Sequence, residues 1–260
     1  MSSAVATRPR TWQLPTTGAH SASERRRVLV GRQGIFRADF SLAAYEMLFR
    51  APGRLGLRID LWNSTQQDRA TEHVIAATFH RGVAAAQGVP AFINFTRGLL
   101  LSADDLWCEP SDVVIEVVES AFSDDALRER LAHLRGLGFR VAVDDFIGTR
   151  NQRALLPEAD FVKIDVRDFL SRGAELVAQA QDSGAELVAE RIESRSDLAR
   201  CEDAGFTLFQ GHALEPSLAL HISDEPAPPE LAVHAEASSA TRRTARSTAK
   251  PGERAAPLTS

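Results

Sequence analysis

At 260 residues, 44% apolar and 25% charged, the chain has material for a single α/β domain with a substantial core. Its two cysteines, Cys108 and Cys201, exclude a disulfide framework and a thiolate metal site. The net charge of −5 is uneven: residues 1–27 hold five Arg against one Glu and residues 223–260 balance, so 28–222 carry about −9, which excludes broad nucleic-acid binding. No apolar run approaches the ~20 residues of a membrane span, and the N-terminus lacks the apolar stretch of a secretory signal, so a soluble cytoplasmic protein with no membrane contact is expected.

Residues 1–26 and 223–260 are rich in Ser, Ala, Thr, Pro and Arg without hydrophobic periodicity and read as disordered segments around a folded unit over 27–222. That unit opens with two strand signals, Val28–Ile35 and Ala44–Phe49, close enough for a hairpin. A helical pattern follows at Ala70–Ala86. Strand Ala91–Phe95 leads to a short apolar helix near Leu99–Leu106. Strand Val113–Val118 precedes a helix over Asp124–Leu137, with apolar residues at 127, 131 and 134. Strand Phe139–Val143 runs into an irregular stretch over 147–157. Strand Phe161–Ile164, helix Glu175–Gln181, strand Glu186–Ala189, helix Arg195–Asp203 and strand Leu208–Gln210 complete the series. Repeated strand–helix units imply a parallel sheet covered by helices.

The last six strand signals share a feature that a plain core would not carry. Each ends in, or holds near its end, a residue able to bind a cation or move a proton: Asn94, Glu116 with Glu119, Asp144 with Asp145, Lys163, Glu190 and Gln210. Unpaired carboxylates are almost never fully buried, but they make sense where parallel strands bring their carboxyl ends to one polar site, as in a barrel. The periodicity alone leaves an open sheet available. The even spread of polar ends favours closure, because an open sheet gathers its ligand at one switch point. Lysine usage adds weight. Of 30 basic residues only two are Lys, and Lys250 lies in the C-terminal tail, so Lys163 is the single lysine of the folded unit. Its compact ammonium differs from a guanidinium in having a tunable pKa.

Glu46, Asn94, Glu116 and Asp144 offer only hard oxygen atoms, a set suited to Mg²⁺ or Mn²⁺. If the strand turns after Asp144, Asp145 can also face the cavity, and two ions can activate a water and clamp a phosphodiester. Lys163 would stabilise developing charge or orient that water, Glu190 would position it or take its proton, and Arg50 is a candidate phosphate contact. Taken singly, each residue has a plainer explanation: Asp-Asp as a turn or cap, Asn94 as a core amide, Glu119-Ser120 as the cap of the next helix.

The runs Tyr45-Glu46-Met47-Leu48-Phe49-Arg50, Phe92-Ile93-Asn94-Phe95, Ile115-Glu116-Val117-Val118-Glu119-Ser120, Asp144-Asp145-Phe146, Val162-Lys163-Ile164-Asp165, Ala189-Glu190-Arg191-Ile192-Glu193 and Gln210-Gly211 resemble, in order, the motifs of EAL domains, bacterial phosphodiesterases that open cyclic di-GMP to pGpG. Arg32-Gln33-Gly34-Ile35 with Glu46-Met47-Leu48-Phe49-Arg50 is similar to the branch in which an HDOD domain follows, and the residues after 222 are too few to hold one. The resemblance implies a modified TIM (β/α)8 barrel with an antiparallel first strand. It implies metal ligation by Glu46, Asn94, Glu116 and Asp144, with Asp145 on a second ion, and catalytic roles for Lys163 and Glu190. Gln33 and Arg50 would contact cyclic di-GMP, Gln210 would bond at the metal–water cluster, and Glu119 and Glu193 would support the loop after Asp145. That loop departs from the family pattern: Ile147 stands where the first glycine of Gly-Thr-Gly is usual. Since a β-branched residue resists the backbone angles open to glycine, slow turnover is expected, and homodimer formation, to which this loop contributes in the family, is an open expectation. A cyclic di-GMP receptor without turnover and an adaptor for a protein partner are the two alternatives.

Overall fold

The computed structural model describes residues 28–50, 63–80, 85–103, 106 and 108–222. The expected disordered segments 1–26 and 223–260, and parts of the patterns at 70–86 and 99–106, lie outside the described residues.

Strands β1 (Val28–Arg37) and β2 (Leu42–Arg50) form an antiparallel hairpin. Helix α1 (Ser64–Ile75), continued by a π turn over Ala76–His80, leads to β3 (Ala91–Phe95) and the short α2 (Arg97–Ser102). Next come β4 (Val113–Val117), α3 (Asp125–Gly136) and β5 (Arg140–Val143). A single helical turn, α4 (Arg150–Arg153), and a 3₁₀ turn at Leu156–Glu158 occupy the stretch expected to be irregular. Then follow β6 (Phe161–Asp165), α5 (Val166–Arg172), α6 (Ala174–Gln181), β7 (Glu186–Glu190), α7 (Arg195–Asp203), β8 (Leu208–Phe209) and β9 (Leu218–Ile222).

The sheet order β2-β3-β4-β5-β6-β7-β8-β1, closed by the β1–β2 pairing, makes an eight-stranded barrel. β2 to β8 are parallel and β1 is antiparallel to both its barrel neighbours, as the resemblance implies. β9 extends the sheet outside the cylinder along Val28–Arg32. α5 and β9 had no counterpart among the expected elements. α5 starts immediately on the Asp165 cap of β6, whose side chain accepts from Arg167 N–H, so no loop signal separates strand from helix.

Alternation along the strands sorts the interior into two levels. The floor is apolar and takes one residue from each strand: Ile35, Ala44, Phe92, Val114, Ala142, Phe161, Val188 and Leu208. Two residues further toward the carboxyl end of each parallel strand stand Glu46, Asn94, Glu116, Asp144, Lys163, Glu190 and Gln210. On the reversed β1 the equivalent residue, Gln33, comes two residues earlier. Going round the cylinder, each of the joins β2–β3, β4–β5, β6–β7 and β8–β1 advances the register of this polar level by two residues, and the other joins do not. The total stagger is that of a TIM cylinder, so the polar residues wind as a tilted band.

The opposite strand faces, among them Met47, Ile93, Ile115, Val141, Val162 and Leu187, pack against the helices in a second, larger core. α3 is representative. Leu127, Leu131 and Leu134 form its buried stripe, each contributing about 1.5–3 kcal/mol on burial. Asp124, not Glu119-Ser120, caps it by accepting from Leu127 N–H at 3.0 Å.

The carboxyl ends of β7 and β8 meet closely. Ile192 N–H donates to Gln210 O at 3.0 Å and Ala213 N–H to Ile192 O at 3.0 Å. Gly211, at φ 156°, lies between them, and a Cβ there would meet Ile192 N at 2.2 Å. Gly211→Ala is therefore expected to lower stability by on the order of 3 kcal/mol. Urea unfolding measures this, and an unchanged midpoint would refute the close approach.

Candidate active site

Lys163 is the centre of the polar band. Its side chain is 0% exposed, and its Nζ lies 2.5 Å from Glu116 Oε1, 2.8 Å from Glu190 Oε1, 2.9 Å from Asp144 Oδ1 and 3.4 Å from Glu46 Oε1. Burial opposes its charge, but the four carboxylates outweigh that and hold the ammonium well above its ordinary range. The carboxylates are only partly served in return. Burial drives Glu116 well above its ordinary value against the pull of Lys163, and Glu46 and Asp144 push the same way. Glu190 is pushed to about 8, again by burial first. One ammonium cannot balance four acids.

The unpartnered atoms point to what is missing. Asn94 Oδ1, both carboxylate oxygens of Glu116 and Gln210 Oε1 are buried without a hydrogen-bond partner. Glu116 Oε1 touches Lys163 Nζ as a charge contact that lacks hydrogen-bond alignment. Buried acceptors left bare are costly. A cluster that is all oxygen, over-negative and short of donors fits a hard divalent cation of the Mg²⁺, Mn²⁺ or Ca²⁺ type.

A chain of side-chain amides orients one side of the band. Gln210 Nε2 donates to Glu46 Oε2 at 2.5 Å and to Gln33 Oε1 at 3.1 Å. Gln33 Nε2 donates to Glu215 O at 3.0 Å, and Gly34 N–H donates to Glu215 Oε2 at 2.6 Å. Glu215 went unnoticed in the sequence; its only signal was its position five residues past Gln210 in the same loop. Arg50 stands further out, two turns of the pleat beyond Glu46. It donates to Ser217 Oγ at 3.2 Å, and its guanidinium passes over Gly31.

At the mouth, single carboxylate oxygens of Glu119, Asp144 and Asp145 lie within 4.8 Å of one another. Asp145 turns into this group with φ 42°. Desolvation, then the charges of Asp144 and Glu119, raise its pKa to about 6. A cavity of about 360 Å³ opens beside it, lined by Glu119, Asp145, Ile147, Asp165, Arg167 and Arg191 among others. Asp165 ties Arg167 at 2.5 Å and Arg191 at 3.1 Å to the rim. Glu193 is exposed on the loop after β7, near Arg167; among the described residues no hydrogen bond joins it to the loop after Asp145. The fold thus gathers Gln33, Glu46, Asn94, Glu116, Asp144, Lys163, Glu190 and Gln210 in the band and Glu119 and Asp145 at the mouth, and leaves Arg50 and Glu193 at the periphery.

Residues 88–217 match the family model described as EAL domain. Over 191 residues the chain is 31% identical to the cyclic di-GMP phosphodiesterase CdgJ of Vibrio cholerae serotype O1, a match covering 70% of this chain and 43% of CdgJ. Over 194 residues it is 29% identical to YuxH of Bacillus subtilis, covering 72% of this chain and 46% of YuxH. The chain therefore spans about half the length of these relatives. In fold it is similar to Bacillus subtilis YkuI, solved with an EAL domain in complex with its substrate c-di-GMP and calcium (TM-score 0.60, 22% identity, 85% of this chain and 63% of that one). It is also similar to Klebsiella pneumoniae BlrP1, solved as a manganese and cyclic di-GMP complex (TM-score 0.62, 23% identity, 76% and 58%).

The charge imbalance makes a prediction. Lys163→Met strips the buried carboxylates of their counter-charge and is expected to cost about 3–5 kcal/mol without divalent cations, with Mn²⁺ restoring much of the loss. Thermal unfolding with and without Mn²⁺ reads this; a metal-free variant as stable as the parent would contradict it.

Proposed function

Because the chain belongs to the EAL domain family, we propose that it is a metal-dependent phosphodiesterase that opens cyclic di-GMP to pGpG. The observation that carries this reading is the buried oxygen band around Lys163, with acceptors left unpartnered and acids left unbalanced. The name of CdgJ supports the choice of substrate.

In this proposal Glu46, Asn94, Glu116 and Asp144 hold one Mg²⁺ or Mn²⁺, and Asp145 serves a second. The ions, when bound, supply the acidity that makes water a nucleophile and the charge that offsets a phosphodiester's developing negative charge. Lys163 keeps a fixed positive charge at the centre of the band, where water exclusion strengthens it. Glu190, 2.8 Å from Lys163 Nζ, positions the attacking water. Gln210 holds Glu46 Oε2 in place, and Gln33 and Arg50 meet the dinucleotide. Glu119 supports the loop after Asp145, and Glu193, at the periphery, has no part in it. Slow turnover is part of the proposal, on account of Ile147, as is a cytoplasmic location. Among the described residues no helix is long and apolar enough to cross a membrane.

A second reading, a receptor that binds cyclic di-GMP without turnover, draws on the same Ile147. Purified protein with Mn²⁺ and cyclic di-GMP is expected to release pGpG, and Glu46→Ala to abolish release. Chromatographic separation of the nucleotides follows the reaction. Tight binding with no pGpG from the parent protein would displace the enzyme in favour of the receptor, and no binding at all would leave an adaptor.

A further inference from the structure

We propose that Asn151 and Gln152 are positioning residues: their side-chain amides lock together the two loops that present Glu119 and Asp145 at the mouth of the barrel. The inference rests on the reading above, in which Asp145 serves the second ion.

Gln152 is 4% exposed, although it sits on a four-residue helix near the surface. Its Nε2 donates to Asp145 O at 2.7 Å and reaches Asp144 O at 3.4 Å. Its Oε1 accepts from Ile147 N–H at 3.0 Å and from Thr149 N–H at 3.3 Å. The Thr149 bond is an ordinary capping-box contact. The other three are not: two reach back across the turn to the carbonyls of Asp144 and Asp145, which carry the acids, and the third holds Ile147 between them and the helix. The neighbouring Asn151 does the same for the other loop. Its Oδ1 accepts from Ser123 N–H and Ser123 Oγ, both at 2.7 Å, and its Nδ2 donates to Ala121 O at 2.5 Å. One dipeptide therefore ties the segment after β4 to the segment after β5.

The tie has a physical purpose. Asp145 is a non-glycine residue at φ 42°, a conformation costing on the order of 1–3 kcal/mol, and its carboxylate is crowded against Glu119 and Asp144. Strain and like-charge repulsion both favour Asp145 swinging out. The bond to its own carbonyl opposes that. Ile147 lies outside the positive-φ residues, while Gly148 takes φ 72°.

The test uses the full chain and Mn²⁺ alone, with bound ions counted and their affinities measured by electron paramagnetic resonance. Amide hydrogen exchange over 119–123 and 144–149 is followed in parallel. The parent is expected to take two ions. Gln152→Ala and Gln152→Glu, which keeps the acceptor but loses the donor to Asp145 O, should weaken one ion by about 10- to 100-fold, spare the other, and speed exchange over 144–149. Asn151→Ala should speed exchange over 119–123 and weaken the same ion. Gln152→Glu guards against misfolding of the alanine variant. Faster exchange with both ions held as tightly as in the parent reduces the clamp to packing and overturns this inference alone. A parent that binds no Mn²⁺ overturns the phosphodiesterase reading as well.

Discussion

Four carboxylates share one buried ammonium, and much of the molecule is arranged around that imbalance. Lys163 cannot leave, because Glu116 would then be an acid without counter-charge at 0% exposure. It cannot suffice either, since Glu116 and Glu190 are still driven toward protonation beside it. A site in that condition is poised to take up cations, and binding them relieves the same repulsion that the fold tolerates when empty of them. The stability of the barrel and its ion chemistry therefore draw on one set of charges.

The barrel makes this tolerable by confining polarity to one level. Directly beneath the band lies an apolar floor with one side chain per strand, including Phe92 against Phe161 in an edge-to-face contact. Outside it, the helices seal the opposite strand faces with Leu and Val. At the mouth stand Glu119 and Asp145, and Arg167 and Arg191 form a charged rim held by Asp165. The amide chain from Glu215 through Gln33 and Gln210 to Glu46 aims one acid without adding charge. Neutral amides are suited to that task in a region already overloaded with carboxylates.

Much of this was legible along the chain, and the legible part has a common cause. β3 and α7 fall at their expected bounds, because Ala91–Phe95 is a compact apolar run and Arg195–Asp203 starts at the Ser194 cap. Asn94, Glu116, Asp144, Lys163, Glu190 and Gln210 stood out as polar residues at the ends of apolar strands, a local contrast. α4 escaped notice because one helical turn carries no period, and with it went Asn151 and Gln152, which lie in the stretch expected to be irregular. β9 escaped because Leu218–Ile222 is a strand only by pairing with β1. Glu215 carried no contrast, being an acid in a polar loop.

The amino-acid order by itself determined which residues could face inward together. Side chains two apart on a strand share a face through covalent geometry alone, so each floor residue came coupled to its polar partner, Phe161 to Lys163 and Val114 to Glu116. Which partners meet across strands was decided only by closure. The two-residue steps at alternate joins and the reversal of β1 set Lys163 against Glu46, 117 positions away, and brought Gln33 beside Gln210, 177 positions away. Those distances depend on the stagger of a closed cylinder, a property of the whole sheet that no stretch of the chain contains.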